Sequence, residues 1–538
     1  MYRIRKIKCD EGRPGCRRCV STGRVCDGYG TGGIWGEGNA KRQRPIRPIL
    51  DQRRLIPRGD MTTCEQSCFE WFTYRCTTKL PGIFASMFWN ELVVQASLNE
   101  PAILHAAVAL SSVHKKEIRR MKTQERLKPL DEEDKFIMTQ YSKAIKHLQP
   151  HFLSKNKRSA RVTLIACVVF TCLEFLRGHY KCGIVHFESG KKVLQELQID
   201  LGSPGTQSSL LPSPNRDPAD TWIVEAFLRL RVQVTLFEQG SQSLSDSLAN
   251  CHLGPSDFAF ESVNQARNDL DRLLIEIAQL TSQFHQEVSP NEINCPKELL
   301  DDKKRIRVSL ENWMIAHDKF KATRQTGMKL YDTMACQLMD AYHTVACIMV
   351  ECCVWPASSS IFDSYTDQFI SVITRSIDMW KTAESSLVQK TSGFPTDISR
   401  SMVDMGWIGP LYYTILKCRI RRIRIQAIRL LRTDLHKEGI WDAALAACVG
   451  RKVMDIEEGD LYQDVSPEDE FSLETIPENS DLLLPALPYS YRLNNVRVVL
   501  PDDPFGKLML ICKRRLEDGS WEVIETYYDL GTRRWTNA

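Results

Sequence analysis

The residues of this 538-residue sequence that are best suited to chemistry are four cysteines near its N-terminus. Cys9, Cys16, Cys19 and Cys26 follow the spacing C-x6-C-x2-C-x6-C. Thiolates at this spacing can converge on one tetrahedral zinc ion, with each sulfur about 2.3 Å from the metal. Because no secretory signal is visible, clustered cysteines indicate metal ligands rather than disulfides. The plainer alternative is four ordinary thiols in a basic tail without fixed structure.

Basic side chains accompany these cysteines. They are Arg3, Arg5, Lys6, Lys8, Arg17 and Arg18. A concentration of positive charge in so short a segment indicates a polyanionic partner.

The segment from Arg3 to Tyr29 resembles the fungal binuclear zinc cluster, Zn2Cys6, of transcription factors. That family reads C-x2-C-R-x-R-K-x-K-C-D, then a short loop with proline, a second C-x2-C, and a last cysteine often followed by Gly-Tyr. The resemblance implies zinc as the cofactor, double-stranded DNA as the partner, and a short helix that binds a CGG triplet in the major groove. The candidate DNA-binding residues are the six basic residues named above. Carried over by position, Arg5 and Lys6 lie at the base edges. The remaining candidates, Arg3, Lys8, Arg17 and Arg18, contact phosphate.

The sequence also departs from that family. Tyr2 occupies the position of the family's second cysteine, and the first would precede Met1. Cys16 would be the surviving bridge between the two metals, and four cysteines cannot close two tetrahedral sites. Two interpretations follow. Either an exon that encodes the first C-x2-C has been replaced by Met1 and Tyr2, or the cluster is degenerate and holds one zinc or none.

The charge of the sequence is unevenly distributed. Residues 1–60 hold fifteen Lys and Arg against six Asp and Glu, whereas the remainder is mildly acidic and the whole chain carries a net charge of +4. A basic head on an acidic remainder indicates a polyanionic partner for the head.

The fifteen cysteines outside the head are scattered through apolar helical contexts, as expected for buried thiols in a reducing compartment. The longest apolar run, 162–173, is shorter than the roughly 20 residues of a membrane span, so no membrane partner is predicted.

The body of the chain shows helical periodicity from about residue 61. We predict a mainly α fold class, with a large all-α domain, a flexible linker before it and a short β-hairpin after it. Helices are predicted from residue 61, near residues 88–93 and from 101, and a Pro/Ser/Gly-rich loop at 202–220. Further helices are predicted at 133–151, 158–177, 180–198, 221–238, 263–286, 302–320, 327–354, 362–389 and 410–434.

This body also resembles a family. Segments 88–114, 186–197 and 409–458 are similar to the fungal-specific transcription factor regulatory domain, whose members follow Zn2Cys6 clusters. The resemblance covers roughly residues 60–460. It implies a regulatory role for the helical body, with co-regulator proteins as partners.

Two patterns follow the helical body. Residues 460–495 are acidic with embedded apolar side chains such as Phe471 and Leu473, which is typical of activation segments but also of a plain acidic loop. Alternation over 507–514 and 521–527 around Asp518-Gly519 predicts a β-hairpin. The predicted domains are a DNA-binding module at 1–30, a basic flexible linker at 31–60, the all-α regulatory domain at 61–460, and the acidic loop with the hairpin at 461–538.

Other groups of residues give weaker indications of function. The glycines at 183 and 190, followed by two lysines, fail the P-loop spacing, and His179, Cys182 and His186 at helical spacing indicate a helix face more than a metal site. No motif of an enzyme is present. A basic helix at 410–434 suggests a solvated or intramolecular ion-paired face, or less strongly a second nucleic-acid surface. Its cations are Lys417, Arg419, Arg421, Arg422, Arg424, Arg429 and Arg432.

These observations favour a nuclear, zinc-dependent, sequence-specific transcription factor of RNA polymerase II genes, and not an enzyme. The linker at 31–60 shows no leucine heptads, so a homodimer would form without a coiled coil. The rival hypothesis is a helical regulatory or scaffold protein that has lost DNA binding together with the first two cluster cysteines. The sequence does not indicate the target genes, an effector ligand or the sign of the regulation.

Overall fold

The computed structural model describes thirteen stretches of the chain, all within one structural unit, Ile56–Ala538. The other unit, Met1–Leu55, lies outside the described residues. The described stretches are 61–123, 131–154, 156–200, 217–237, 258–287, 296–324, 327–353, 359–388, 402–433, 436–462, 471–478, 487–516 and 518–537.

Helices make up most of the described chain, which confirms the predicted fold class. The α-helices are α1 (Thr63–Trp71), α2 (Thr77–Lys79), α3 (Val93–Asn99), α4 (Pro101–Thr123), α5 (Glu132–Leu153), α6 (Lys157–Arg177), α7 (Tyr180–Asp200), α8 (Pro218–Phe237), α9 (Val263–Glu287), α10 (Lys297–Arg324), α11 (Leu330–Cys352), α12 (Thr366–Val388), α13 (Ile408–Lys417), α14 (Arg421–Thr433) and α15 (Ala443–Glu458). Shorter π-helical turns at Phe72–Cys76 and Phe88–Leu92, and 3-10 turns at Ser359–Tyr365 and Tyr489–Tyr491, connect them.

Local capping explains where several helices begin and end. Thr62 and Glu65 form a reciprocal capping box at the start of α1, as do Asp131 and Asp134 at the start of α5. Helix α6 ends at Gly178, whose φ of 84° places it in the left-handed region that favours glycine. These caps satisfy backbone groups that would otherwise lack partners at the helix ends.

Helix α6 forms the centre of the core. Among the described helices it is the one that is long and apolar enough to cross a membrane, and 89% of its most apolar window is buried inside the body. Helix α7 packs closely on it through glycine. A Cβ atom at Gly190 would lie 2.5 Å from the Phe227 ring and 2.8 Å from Cβ of Cys167, so this position is a helix contact rather than part of a phosphate loop.

The prediction of one helix at 410–434 is wrong, because the chain breaks between α13 and α14. Cys418 adopts an extended conformation, with φ −64° and ψ 142°, and the chain turns back so that the two helices pack on each other. The Arg424 Nε atom donates to the Ile415 carbonyl over 2.7 Å, which satisfies an oxygen freed at the end of α13. In this arrangement Arg422 and Arg424 of α14 are buried inside the body, whereas Arg432 is exposed.

The predicted C-terminal hairpin is present and belongs to a larger sheet. Strands β1 (Lys437–Glu438) and β2 (Trp441–Asp442) pair before α15. Strands β3 (Leu493–Val499), β4 (Lys507–Arg515), β5 (Trp521–Asp529) and β6 (Arg534–Asn537) form an antiparallel sheet in the order β3-β4-β5-β6. One face of this sheet packs on apolar side chains of α15 such as Val453.

Candidate nucleic-acid interface and ion-paired body

The predicted DNA-binding module lies outside the described residues. Its proposed ligands Cys9, Cys16, Cys19 and Cys26 therefore remain predictions, as do the proposed DNA contacts. Those contacts are Arg3, Arg5, Lys6, Lys8, Arg17 and Arg18. The described body tests the other candidate surfaces.

The basic helix is the first of these surfaces. Two of its arginines, Arg419 and Arg424, are buried and converge on Glu457 of α15. The nitrogen–oxygen distances are 2.7 Å from Arg419 and 2.6 Å from Arg424. Glu457 also accepts from the Leu493 backbone N–H over 2.9 Å, so the same carboxylate joins α15 to strand β3.

The charge state of Glu457 follows from these contacts. Burial opposes its ionisation, but the positive charges of Arg424 and Arg419 outweigh burial and lower its pKa below the ordinary value. A carboxylate enclosed by two guanidinium groups holds them against the body. These arginines therefore serve an intramolecular ion cluster and are not available to nucleic-acid phosphate.

Four more of these cations are also engaged within the chain, whereas Arg432 is exposed. Arg421 pairs with Glu458, and the Lys417 Nζ atom lies 5.3 Å from the Phe362 ring centroid. Arg422 and Arg429 contact Phe471 in the acidic C-terminal segment. The ion-paired interpretation of the basic helix is thus the one that the structure supports.

The three residues at metal-like spacing do not converge. The His179 Nδ1 atom lies 3.2 Å from the Asp502 carbonyl, whereas His186 Nε2 lies 2.6 Å from the Tyr141 hydroxyl. Cys182 is exposed. Within the described stretches, no group of three or more His, Cys, Asp or Glu side chains has a geometry that could hold a metal ion.

The cysteines of the body are free thiols wherever the structure describes them, and most are buried. Burial raises the pKa of the Cys167, Cys336 and Cys512 thiols to about 12. Such thiols remain protonated at neutral pH and act as small apolar side chains. This agrees with their predicted structural role.

A buried polar centre was not anticipated from the sequence. Asp404 lies on a segment that crosses the interior and is enclosed by two arginines, with oxygen–nitrogen distances of 2.7 Å to Arg267 and 3.0 Å to Arg229. Burial is again outweighed by these charges, so the pKa of Asp404 is lowered. Arg267 also pairs with Asp271 at 3.1 Å and stacks on the Phe84 ring. The only sequence signal was a single acidic residue between Val403 and Met405, inside an apolar run.

Glu438 also holds the segment that contains Asp404. Its carboxylate accepts from the Gly406 N–H over 2.8 Å and from the Ile408 N–H over 3.2 Å, and it pairs with His436. The Ile408 contact falls at the first turn of α13, where backbone N–H groups lack helical partners and favour a carboxylate. The carboxylate of Glu438 thus fixes the start of α13.

Comparison with known proteins identifies two matching regions. Residues 3–31 match the fungal Zn(2)-Cys(6) binuclear cluster domain, so the match begins just after Tyr2. Residues 72–393, more than half of the chain, match the fungal specific transcription factor domain. The cluster domain is a zinc domain, which makes zinc the cofactor of this segment. Both domains are those of transcription factors and not of enzymes.

Two curated relatives are similar to this chain. The aspercryptin biosynthesis cluster-specific transcription regulator atnN of Emericella nidulans is 27% identical over 343 residues, which is 60% of this chain and 53% of the relative. The transcription regulator lscL of Purpureocillium lilacinum is 26% identical over 225 residues, covering 36% of this chain and 48% of the relative. The matched region thus spans about half the length of each relative. No solved structure matches the chain.

Proposed function

Because the chain belongs to the fungal specific transcription factor domain family, we propose that it is a zinc-dependent, sequence-specific regulator of transcription that binds double-stranded DNA. The observation that carries this proposal is the order of two independent domains, a basic cysteine cluster followed by the regulatory domain. Proteins of this family are expected in the nucleus, and RNA polymerase II genes are the proposed targets.

The N-terminal segment is proposed to make the contacts with DNA. Arg5 and Lys6 are placed to donate to guanine O6 and N7 of a CGG-type triplet in the major groove. Arg3 and Lys8 are placed to contact phosphate on either side, with Arg17 and Arg18 contributing more weakly. In this assignment base contacts give specificity, while phosphate contacts set register and make the affinity fall with salt.

The cysteines present fit one tetrahedral metal site. Cys9, Cys16, Cys19 and Cys26 give four thiolates, which is the complete ligand set of one structural zinc. Bound zinc supplies the rigidity of the small module, because such a module is too small to fold around an apolar core. A second zinc needs two further thiolates, and Tyr2 stands at one of those two positions.

The helical body is proposed to regulate the head. Its interior is held by two buried ion clusters, around Glu457 and around Asp404. This body is the candidate contact for co-regulator proteins, and for a second copy of the chain in a homodimer. The proposed domain division is 1–30, 31–60, 61–460 and 461–538.

Tyr2 favours a second candidate function. A chain with tyrosine at the second ligand position could keep its helical body as a regulator or scaffold while no longer binding DNA specifically. The two functions differ in one measurable property, the preference for CGG-containing over scrambled duplexes.

Fluorescence anisotropy of the 538-residue chain on both duplexes tests the proposal. The chain should bind both weakly, and binding should fall steeply with salt. A version with Tyr2→Cys and a further cysteine three residues upstream should prefer the CGG duplex by at least about tenfold. Equal affinity of that six-cysteine version for both duplexes would favour the scaffold function instead.

A further inference from the structure

An extended segment of the acidic C-terminal region lies along helix α14. The Arg429 Nη1 atom donates to the Phe471 carbonyl over 2.7 Å. The Gln426 Nε2 atom donates to both the Leu473 and the Thr475 carbonyls, over 2.8 Å each. These hydrogen bonds reach the carbonyls of alternate residues, so one face of α14 binds the segment through its main chain.

The Phe471 ring is the main side-chain anchor of this contact. The Arg422 guanidinium carbon lies 3.2 Å from the ring centroid, and that of Arg429 lies 4.5 Å from it. Arg422 also donates to the Thr475 carbonyl over 3.2 Å. Residues 422, 426 and 429 are spaced by four and three positions, so they share one face of α14. We call Arg422, Gln426 and Arg429 the reading face, and residues 471–478 the docked segment.

The docked segment is held by few of its own side chains. Phe471 and Leu473 pack against the core, whereas Ser472, Glu474, Thr475 and Ile476 are exposed. The Glu474 carboxylate pairs with Lys381 at 3.2 Å, but both side chains are about half exposed, so solvent screens this pair. Pro477 is also buried. A segment held through its main chain and three apolar side chains has a small interface and can detach without unfolding the helices beneath it.

The contacts of Arg429 make this arrangement specific. In the described part of the chain, the hydrogen bond and the ring contact of the Arg429 guanidinium are both with Phe471, through its carbonyl and its ring. Arg429 is not part of the ion cluster around Glu457. Its placement is therefore explained by the docked segment and not by the architecture of the body.

We propose that the docked segment is a binding segment for a co-regulator and that docking on the reading face keeps it from that partner. Its release from the reading face exposes Phe471 and Leu473 to the co-regulator. This inference rests on the proposed function, because it assigns a regulatory step to the same protein. Acidic residues with embedded apolar side chains have the composition of activation segments. In the docked state the two apolar anchors are covered, so the segment is kept from its partner.

The chemistry of the reading face indicates the kind of partner. Cationic side chains contact the Phe471 ring, hydrogen-bond donors bind the carbonyls of the docked segment, and apolar core residues pack against Phe471 and Leu473. A co-regulator that offers a basic, partly apolar groove provides the same chemistry and competes directly with α14. Capture by the partner needs a favourable difference in free energy between the two docking sites.

Hydrogen exchange of the full chain tests the docking. Arg429→Ala removes a charge-assisted hydrogen bond and a ring contact, and should speed exchange of the Thr475 amide, which donates to the Ser472 carbonyl over 3.0 Å, about tenfold or more. Arg432→Ala, at an exposed arginine of the same helix, is the matched control and should leave this amide unchanged. Unchanged exchange in Arg429→Ala would overturn the proposal. If that variant fails to fold, Phe471→Ala should release the segment from the other side, and unchanged exchange there would overturn it equally.

A reporter assay tests the consequence of release. The full chain is fused to an unrelated DNA-binding domain, so that failure of its own head to bind DNA does not affect the readout. Arg429→Ala should raise reporter output because the released segment is intact, whereas Phe471→Ala should not because the recognition residue is gone. Equal output from both variants would overturn the assignment of Phe471 as a recognition residue, whether it is raised in both or unchanged in both.

Discussion

Arg424 and Glu457 form a buried ion pair, with 2.6 Å between Nη2 and Oε2, that joins α14 to α15. Both side chains are almost fully enclosed, and Arg419 approaches the same carboxylate. A strongly basic run in the sequence thus becomes part of the interior. The ion cluster around Glu457 keeps Arg419 and Arg424 from contacting nucleic-acid phosphate.

Removing the charge of Glu457 should destabilise the body strongly. Glu457→Gln leaves Arg419 and Arg424 buried without their counter-charge, and breaking a buried pair in this way costs about 3–5 kcal/mol. Urea denaturation followed by circular dichroism measures the change. Glu474→Gln, whose carboxylate is exposed, is the control and should stay within about 0.5 kcal/mol of the unmodified chain. Similar midpoints for both variants would contradict the proposed role of the cluster.

Stability at acid pH should depend on Glu65. Burial opposes ionisation of Glu65, but hydrogen bonds from Lys143, from Thr62 and from Gln140 outweigh it and lower its pKa to about 2. A carboxylate with a lowered pKa stabilises the fold fully above its unfolded value of 4.5 and loses this contribution as the pH falls toward 2.

Glu65→Gln should therefore lower stability at pH 7, by on the order of 2 kcal/mol, and flatten the loss of stability between pH 4.5 and pH 2. Thermal melts over this pH range provide the measurement. Glu132→Gln, at an exposed position in the first turn of α5, is the control. An unchanged slope in Glu65→Gln would show that other carboxylates dominate acid unfolding.

The contact of α7 with its neighbours should not tolerate a methyl group at Gly190. The added Cβ would lie 2.5 Å from the Phe227 ring, so Gly190→Ala should cost about 1–3 kcal/mol through overpacking. A methyl group added at Gly327 would have no heavy atom within 4 Å, so Gly327→Ala is the matched control. Thermal unfolding compares the two variants, and equal melting temperatures would show that α7 shifts to accept the methyl.

Zinc content should reflect the number of thiolates in the head. The 538-residue chain should bind at most one zinc, through Cys9, Cys16, Cys19 and Cys26, because four thiolates cannot close two tetrahedral sites. Atomic emission of the purified chain gives the ratio of zinc to protein, and two zinc ions per chain would contradict the assignment.

Chelation of zinc should leave the helical circular dichroism of the body intact, since structural zinc organises only the module that holds its ligands.

The sequence predicted the elements of the body better than their packing. Strong periodicity places α9 at 263–287 against a predicted 263–286, because its apolar stripe repeats at helical spacing. The break at Cys418 was missed because the apolar stripe continues through it. What stabilises the break is tertiary, namely the Arg424 bond to the Ile415 carbonyl and the charge of Glu457.

Long-range polar contacts were the part that sequence patterns did not reveal. Asp404 meets Arg267 and Arg229 across 137 and 175 positions of the chain, and no local pattern encodes such a meeting. The same holds for Phe471 and Arg429, which lie 42 positions apart. In both cases the charged residues were visible in the sequence, but their partners were set by the fold.

The central claim is that the N-terminal segment reads DNA bases, and Lys6 and Lys8 test it most directly. In the six-cysteine version, Lys6→Ala should cost about 1–3 kcal/mol on a CGG duplex and relax the preference for the triplet. Lys8→Ala should weaken binding to CGG and scrambled duplexes equally and lower the salt slope by about one unit. Anisotropy titrations on both duplexes over a range of salt give all of these values. Equal losses on the two duplexes for Lys6→Ala would show that Lys6 contacts only phosphate and would contradict the account.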